Sequence, residues 1–318
     1  MPEEEFIINV FCLIDDLFQK LFPTPIRTRG YEPKLSDSEV ITIEIVGEWL
    51  GHHKDKNIWK YFRRHWLHFF PNIPARTKLA SQGANLWAVK QKITEHLVQI
   101  LGADRDNVHL IDGFPIEVCK RVRAKRRKIF NDEVAYGYCA SKDRKFFGFQ
   151  GHLLISMTGI PVSLSLTPAN VDERDAAYDL IETIAGLLLG DKGYIKPIFK
   201  EDCEAVGIDL QTPLKKNMKD NRPKKFVKLI MRVRRRIETV IGQLAHYFDI
   251  EHSGCRNMWR MTARMARKLL AYNVGVFLNV QAGKRGSACK IAFTSENSGK
   301  PLFFMKKLPI QLLGYTNR

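Results

Sequence analysis

Three carboxylates of the 318-residue chain stand where chemistry could use them. Asp112 and Asp191 each close a run that reads as a β-strand, and Glu238 lies within a long amphipathic helix. They are 79 and 47 residues apart. In an α/β sheet the ends of adjacent strands bring such acids together, and a helix crossing that edge can add a third. Three hard oxygen ligands with open positions suit two Mg2+ ions, for which Mn2+ can substitute, completed by substrate phosphate and water. Such a pair of ions activates a nucleophile and stabilises the leaving oxygen of an in-line phosphodiester displacement. Each acid also has a plainer reading, Asp112 and Asp191 as strand-end turn acids and Glu238 as the partner of Arg234 in a helical ion pair.

The elements that must position these acids begin near residue 105. Val108, Leu110 and Asp112 alternate with His109 and Ile111 in a strand expected to end at Gly113. Phe147 to Met157 and Val162 to Thr167 read as two strands of a hairpin turning at Thr158-Gly159. Asp172, Glu173 and Asp175 supply the acidic first turn of a helix, and the continuously apolar Gly186 to Leu189 reads as a strand buried on both faces. A helix over about 197–206, a strand over 208–212 and a helix over about 225–248 follow, giving the expected order β-β-β-α-β-α-β-α. On that last helix Phe226, Ile230, Val233, Ile237, Ile241, Leu244 and Phe248 form the buried stripe, with Glu238 at its edge.

The first hundred residues read as all-helical. Phe6, Val10, Leu13, Leu17 and Leu21 mark one helix, and Ser36 with Glu39 forms a capping box for a second. Ile58, Phe62, Trp66 and Phe69 mark a third, and Thr77 to about Leu101 a fourth. The third and fourth could form a helix-turn-helix with Arg76, Lys78, Ser81, Gln82 and Asn85 facing DNA, or simply a packing helix with a solvated face. His52, His53, His65 and His68 lack Cys or acidic partners in the pattern and read as packing or surface residues.

The formal net charge is +17 at pH 7, carried wholly by the part after residue 104, and it points to a polyanionic partner. Lys120 to Lys128 holds seven Lys or Arg in nine residues: Lys120, Arg121, Arg123, Lys125, Arg126, Arg127 and Lys128. Lys215 to Arg236 holds eleven in twenty-two, among them Lys215, Lys216, Lys224, Lys225, Arg234 and Arg235. Because both runs flank proposed acids in sequence, they are expected to grip the phosphate backbone of DNA rather than serve as solvated surface. Arg256, Arg260, Arg264 and Arg267 step along another helix and suit either that role or a solvated face. The longest apolar run, Ile184 to Leu189, is far short of the roughly 20 residues that span a bilayer. The start Glu3-Glu4-Glu5 is unlike a secretory signal, and a cytoplasmic, nucleoid-associated protein without membrane partners is expected. The six cysteines are scattered without a C-x-x-C pair, so neither a disulfide framework nor structural zinc is indicated. The absence of a Gly-rich phosphate loop or a Ser or Cys nucleophile motif argues against an ATPase or a covalent recombinase.

Val108-His-Leu-Ile-Asp112-Gly-Phe-Pro, Leu188-Leu-Gly-Asp191-Lys-Gly-Tyr194 and Arg234-Arg-Arg-Ile-Glu238-Thr-Val, in that order, resemble the DDE transposases of bacterial insertion sequences, most closely the family numbered nine-eighty-two. The resemblance covers roughly residues 30–280 and includes Leu35-Ser-Asp-Ser-Glu39 and Thr167-Pro-Ala-Asn170. It implies a ribonuclease H-like α/β catalytic domain over 105–282, preceded by a helical N-terminal domain over 1–104 that recognises the element's terminal inverted repeats. A basic tail of unknown role follows over 283–318. It also implies Asp112, Asp191 and Glu238 as catalytic metal ligands, double-stranded DNA as partner and a homo-oligomer on the DNA ends. The activity implied is metal-dependent hydrolysis at the element ends followed by strand transfer into target DNA. Related families place a Tyr seven residues before the catalytic Glu and a Lys seven after it; here these are Met231 and Ala245, and only Arg234 matches. The alternatives are a non-catalytic DNA-binding protein of the same architecture and a metal-dependent nuclease without strand transfer.

Overall fold

The computed structural model describes residues 1–126, 129–130, 133–139, 143–215, 217–252 and 254–283. The proposed tail over 283–318 therefore lies outside the described residues except for Gly283. Five helices open the chain: α1 (Glu3–Leu21), α2 (Asp37–Trp49), α3 (Asp55–His65), α4 (Arg76–Asn85) and α5 (Trp87–Ile100). The capping box at Ser36 is present, its hydroxyl accepting from the Glu39 amide while the Glu39 carboxylate accepts from the Ser36 amide. The expected fourth helix is two: the chain breaks at Leu86, which ends α4 and starts α5.

A mixed six-stranded sheet follows, built from β1 (Val108–Cys119), β2 (Ala135–Cys139), β3 (Arg144–Ser156), β4 (Pro161–Pro168), β5 (Gly186–Leu189) and β6 (Ile208–Gln211). The spatial order is β2-β3-β1-β5-β6, with β4 also pairing β3. Helices α6 (Glu173–Ile181), α7 (Pro197–Ala205), α8 (Lys224–Phe248) and α9 (Met258–Gln281) complete the described fold. Two sequence expectations change here. Strand β1 does not stop at Gly113 but continues antiparallel to β3 as far as Cys119, with Pro115 opposite Gln150. Beyond Leu110 no strand among the described residues pairs its other edge, so the amide that proline lacks is not needed there. The second change is β2, which adds a fourth strand before the first helix of the sheet region and pairs with the outer edge of β3.

Helix α9 packs mainly on the opening helices. Its Arg267 and Lys268 are buried among acids of α2 and of the first turn of α3: Arg267 contacts Glu48 at 2.7 Å, Asp55 at 2.8 Å and Glu44 at 3.5 Å, and Lys268 contacts Glu48 at 3.1 Å. Lys90 of α5 joins through Glu44 at 2.6 Å and donates to the Gly83 carbonyl at 2.8 Å. Arg264 reaches Asp55 at 3.1 Å. Arg264 and Arg267 thus belong to this interior network and not to a DNA-facing row. Lys268 also donates to the Phe248 carbonyl at the end of α8, and Asn273 donates to the Pro161 carbonyl of β4 at 2.9 Å, tying the helical layer to the sheet. One apolar cluster runs without interruption from Phe6 through Leu110 and Phe149 to Phe277. No helix among the described residues is long and apolar enough to cross a membrane.

Burial alone would raise the Glu48 carboxyl, but Arg267, Lys268 and His53 hold it down to about 2; Asp55 is likewise held to about 2 against its burial by Arg267 and Arg264. Both folded values lie below the unfolded ones, so this stabilisation is complete above about pH 5 and is lost as pH falls toward 2. Glu48→Ala would leave Lys268 buried without its acid, at a cost of about 3–5 kcal/mol. Denaturant unfolding at neutral pH should show that loss, and the variant's stability should fall less than the wild type's between pH 5 and about 2.5.

Candidate functional site: a carboxylate cluster at the sheet edge

The parallel ladder between β1 and β5 pairs Val108 with Leu187, His109 with Leu188 and Leu110 with Leu189, and then stops. Two residues further along each strand direction stand Asp112 and Asp191, so the register that ends at Leu110 and Leu189 leaves the two acids facing across an unpaired edge. Asp112 is still within a strand, held by β3 through its pairing with Leu153, and its Oδ1 accepts from the Gly113 amide at 2.9 Å. Asp191 has left its strand and caps a short turn at Lys192–Tyr194, its Oδ1 accepting from the Gly193 amide at 2.6 Å. Under this turn Tyr194 is fully buried, against Phe199. Its hydroxyl has no hydrogen-bond partner among the described residues. Burial and the charges of Glu173, Asp112 and Asp191 push that phenol far above its ordinary range, so it keeps its proton beside the acids.

Sequence reasoning assigned Glu173 only to a helix first turn, yet it lies between the two aspartates. A Cβ added at Gly193 would collide with Glu173 Oε2 and lie 2.8 Å from Asp191 Oδ1, and one added at Gly113 would lie 3.0 Å from Glu173 Oε1. The glycines that follow the two acids are therefore the spaces the Glu173 carboxylate occupies. Gln150 of β3 donates to Glu173 Oε1 at 3.3 Å. Asp172 caps α6 through the Arg174 amide at 3.0 Å, fixing the helix start from which Glu173 projects. The signal available in the sequence was an acid directly after an N-cap, on the first helix after the hairpin.

Glu238 is farther out. Its side chain is 50% exposed and pairs with Arg234 at 2.7 Å, the helical ion pair that the i, i+4 spacing allows. Arg234 turns the other side of its guanidinium toward Asp112 at 3.9 Å, so α8 connects Glu238 to the cluster through this arginine. Arg236 anchors α8 to the β3–β4 turn by donating to the Met157 carbonyl. Burial, then the neighbouring Asp191, raise Asp112 to about 6 in spite of Arg234; burial, then Asp191 and Asp112, raise Glu173 to about 7. Among the described residues no three acidic, His or Cys side chains converge closely enough, as they stand, to hold a metal ion. The donor set nevertheless fits one: all its members are hard oxygens, and the burial and mutual repulsion that raise Asp112 and Glu173 are what a divalent cation would offset.

The basic runs are placed differently from their sequence proximity. Because β1 continues to Cys119, the exposed turn carrying Lys120, Arg121, Arg123, Lys125 and Arg126 begins roughly 25 Å from Asp112 along the strand. Lys224 and Lys225 open α8, roughly 20 Å along that helix from Glu238, and are exposed, as are Lys215 and Arg235. Arg127, Lys128 and Lys216 lie outside the described residues. In the helical layer, Arg76, Lys78 and Asn85 of α4 are exposed, but Gln82 donates to the Leu35 carbonyl at 3.0 Å and to Asp37 at 2.9 Å and is committed to holding the start of α2. Of the histidines, His53 pairs with Glu48 at 2.7 Å, and His52 and His65 pack on the Tyr61 ring.

The raised Glu173 and Asp112 carboxyls carry a stability consequence of definite sign. Both folded values exceed the unfolded ones, so the folded cation-free protein is penalised as pH rises from about 4 through 7. Glu173→Gln should therefore raise stability by on the order of 1 kcal/mol at pH 8 and by little at pH 5, measured as thermal melting in the presence of a chelator.

Comparison with known proteins gives a match over part of the chain. No curated protein matches the sequence. A solved structure, the piggyBac transposase synaptic complex with hairpin DNA, aligns over 88% of this chain and 75% of its own with a TM-score of 0.44 and 7% sequence identity. Residues 102–258, the stretch holding all four acids described above, match the family model described as a transposase DDE domain.

Proposed function

We propose that the chain is the DNA transposase of a bacterial insertion sequence, close to the family numbered nine-eighty-two, and that its sheet region is a ribonuclease H-like catalytic domain. The observation that carries this reading is the β1–β5 register, which sets Asp112 opposite Asp191 at a sheet edge within the matched segment. Asp112 and Asp191 would hold divalent metal, with Glu238 completing the set and Glu173 as a fourth carboxylate against the first two. Bound Mg2+ or Mn2+ supplies Lewis acidity at the scissile phosphate and lowers the pKa of an attacking water.

The chain's own residues supply positioning. The protons that Asp112 and Glu173 retain in the cation-free state leave when the cations arrive, so the site loads best above about pH 7. Arg234, poised between Asp112 and Glu238, is the cation nearest the acids among the described ion pairs and is placed to meet a non-bridging phosphate oxygen. Exposed cations of the 120–126 turn and of the α8 start hold the DNA backbone on either side. In hydrolysis a bond forms between water oxygen and phosphorus as the bond to the 3′ oxygen breaks, and that oxygen leaves as a hydroxyl. In strand transfer the same 3′-hydroxyl displaces a 3′ oxygen of target DNA in a second in-line reaction. Joining two ends to one target calls for at least two copies of the chain.

The test is cleavage and joining of a duplex ending in the element's inverted repeat, with Mg2+ or Mn2+. Asp112→Asn and Asp191→Asn should each lower the rate at least about a hundredfold with DNA affinity retained, as expected when a metal ligand is lost. Glu238→Gln should do the same; wild-type activity in that variant removes Glu238 from the mechanism. Cleavage without joining would identify a nuclease instead.

A further inference from the structure

The outer edge of the sheet, where β2 pairs with the start of β3, carries a groove of about 390 Å³ that the catalytic reading does not use. It is lined by Tyr136, Gly137 and Tyr138 of β2, Lys145 of β3, Arg121 of the basic turn and Ala169 of the Thr167–Asn170 stretch. Tyr136 and Tyr138 are two residues apart on one strand and so project from the same face. They are 49% and 58% exposed, unusual for large aromatic side chains on a strand. Both rings are nevertheless held in place: Tyr138 donates its hydroxyl to Asp143 at 2.6 Å, and Tyr136 lies against Phe147 with ring centroids 4.8 Å apart. No acid lines the groove among the described residues. Arg121 and Lys145 have no ion-pair partner among the described residues, and both are exposed.

Rigid, exposed aromatic faces flanked by unpaired cations match the requirements of a single nucleic-acid strand: bases stack on rings and phosphates meet the cations, without sequence preference. An intact duplex offers the cations its phosphates but keeps its bases from the rings. From this geometry we propose that the β2 groove binds unpaired DNA, as a track for a strand separated from its complement beside the catalytic edge. Tyr136 pairs with Phe147 and Asp112 with Leu153 on the same strand, six residues apart, or roughly 20 Å. At about 3.4 Å per nucleotide of a stacked strand, this places the groove about six nucleotides from the acids. Its wall at Ala169 is continuous with the cap of α6, from which Glu173 projects, so groove and site are set by one short segment. The choice of DNA as the nucleic acid rests on the transposase reading; the groove itself does not.

The test uses the full chain in chelator, titrated into a fluorescent single-stranded oligothymidylate and, separately, into a blunt duplex. The double variant Tyr136→Ala with Tyr138→Ala should weaken binding of the single strand by roughly tenfold or more while changing duplex binding less than about twofold. Tyr136→Phe with Tyr138→Phe, which keeps both rings, should stay within about threefold of wild type on the single strand. Unchanged strand binding in the Ala variant, an equal loss on strand and duplex, or a Phe variant as weak as the Ala variant would each overturn the proposal. The cleavage assay separates this from the catalytic reading. Acid-dependent cleavage with ring-independent strand binding removes the groove alone, whereas ring-dependent strand binding without cleavage removes the transposase reading and leaves the groove.

Discussion

Carboxylates that repel one another are held together in this protein, and much of the surrounding architecture supports that unfavourable arrangement. Strands β1 and β5 pair only as far as Leu110 and Leu189, and the acids stand two residues later, beyond the last pair of that ladder. Strand β3 keeps Asp112 in line, the turn over Tyr194 fixes Asp191, and the capped start of α6 drives Glu173 between them. In the absence of cations, burial and the cost of the arrangement show as carboxyls raised to about 6 at Asp112 and about 7 at Glu173. Such a cluster stabilises nothing by itself. The buried network linking Glu44, Glu48, Asp55, Lys90, Arg267 and Lys268 is its opposite: fully paired charges, remote from the sheet edge, that fix how the helices sit on one another.

The charge distribution follows the same division. Only Arg234 stands beside the acids among the ion pairs described; Lys192 and Arg235 are exposed near them in the chain, and the larger exposed basic groups at the 120–126 turn and the α8 start lie roughly 20 Å or more away along β1 and α8. A negative basin is thereby set within a positive surface. The protein's net charge and its local charge at the site have opposite signs.

Much of this was legible in the sequence, for reasons that also explain the omissions. Asp191 follows a continuously apolar run, and Ser36 with Glu39 is a strong start signal; both depend on local chemistry, and local chemistry is what a sequence displays. Strand β1 seemed to end at Gly113 because glycine and proline interrupt most strands; that Pro115 sits on an edge with one partner is a property of the sheet. Strand β2 escaped notice because Ala-Tyr-Gly-Tyr-Cys holds no Val, Ile, Leu or Phe and has a glycine at its centre. Glu173 looked like a helix-dipole acid, which it also is, and its place against Asp112 and Asp191 depends on a topology that no single segment contains. Arg264 and Arg267 resembled a solvated or DNA-facing row because their partners on α2 and α3 lie more than two hundred residues earlier.

The packing of α9 has a consequence for where this chain can be divided. The segment that matches the transposase DDE domain closes at residue 258, where α9 begins, yet Lys268 grips the carbonyl that ends α8, and Asn273 grips β4. Trp49 of α2 sits edge-on against Phe248 with centroids 5.1 Å apart and donates to the Ala271 carbonyl at 2.8 Å, so α2, α8 and α9 meet at one point. A fragment cut at the end of the matched segment would keep all four acids and lose the contacts by which α9 holds the end of α8 and β4.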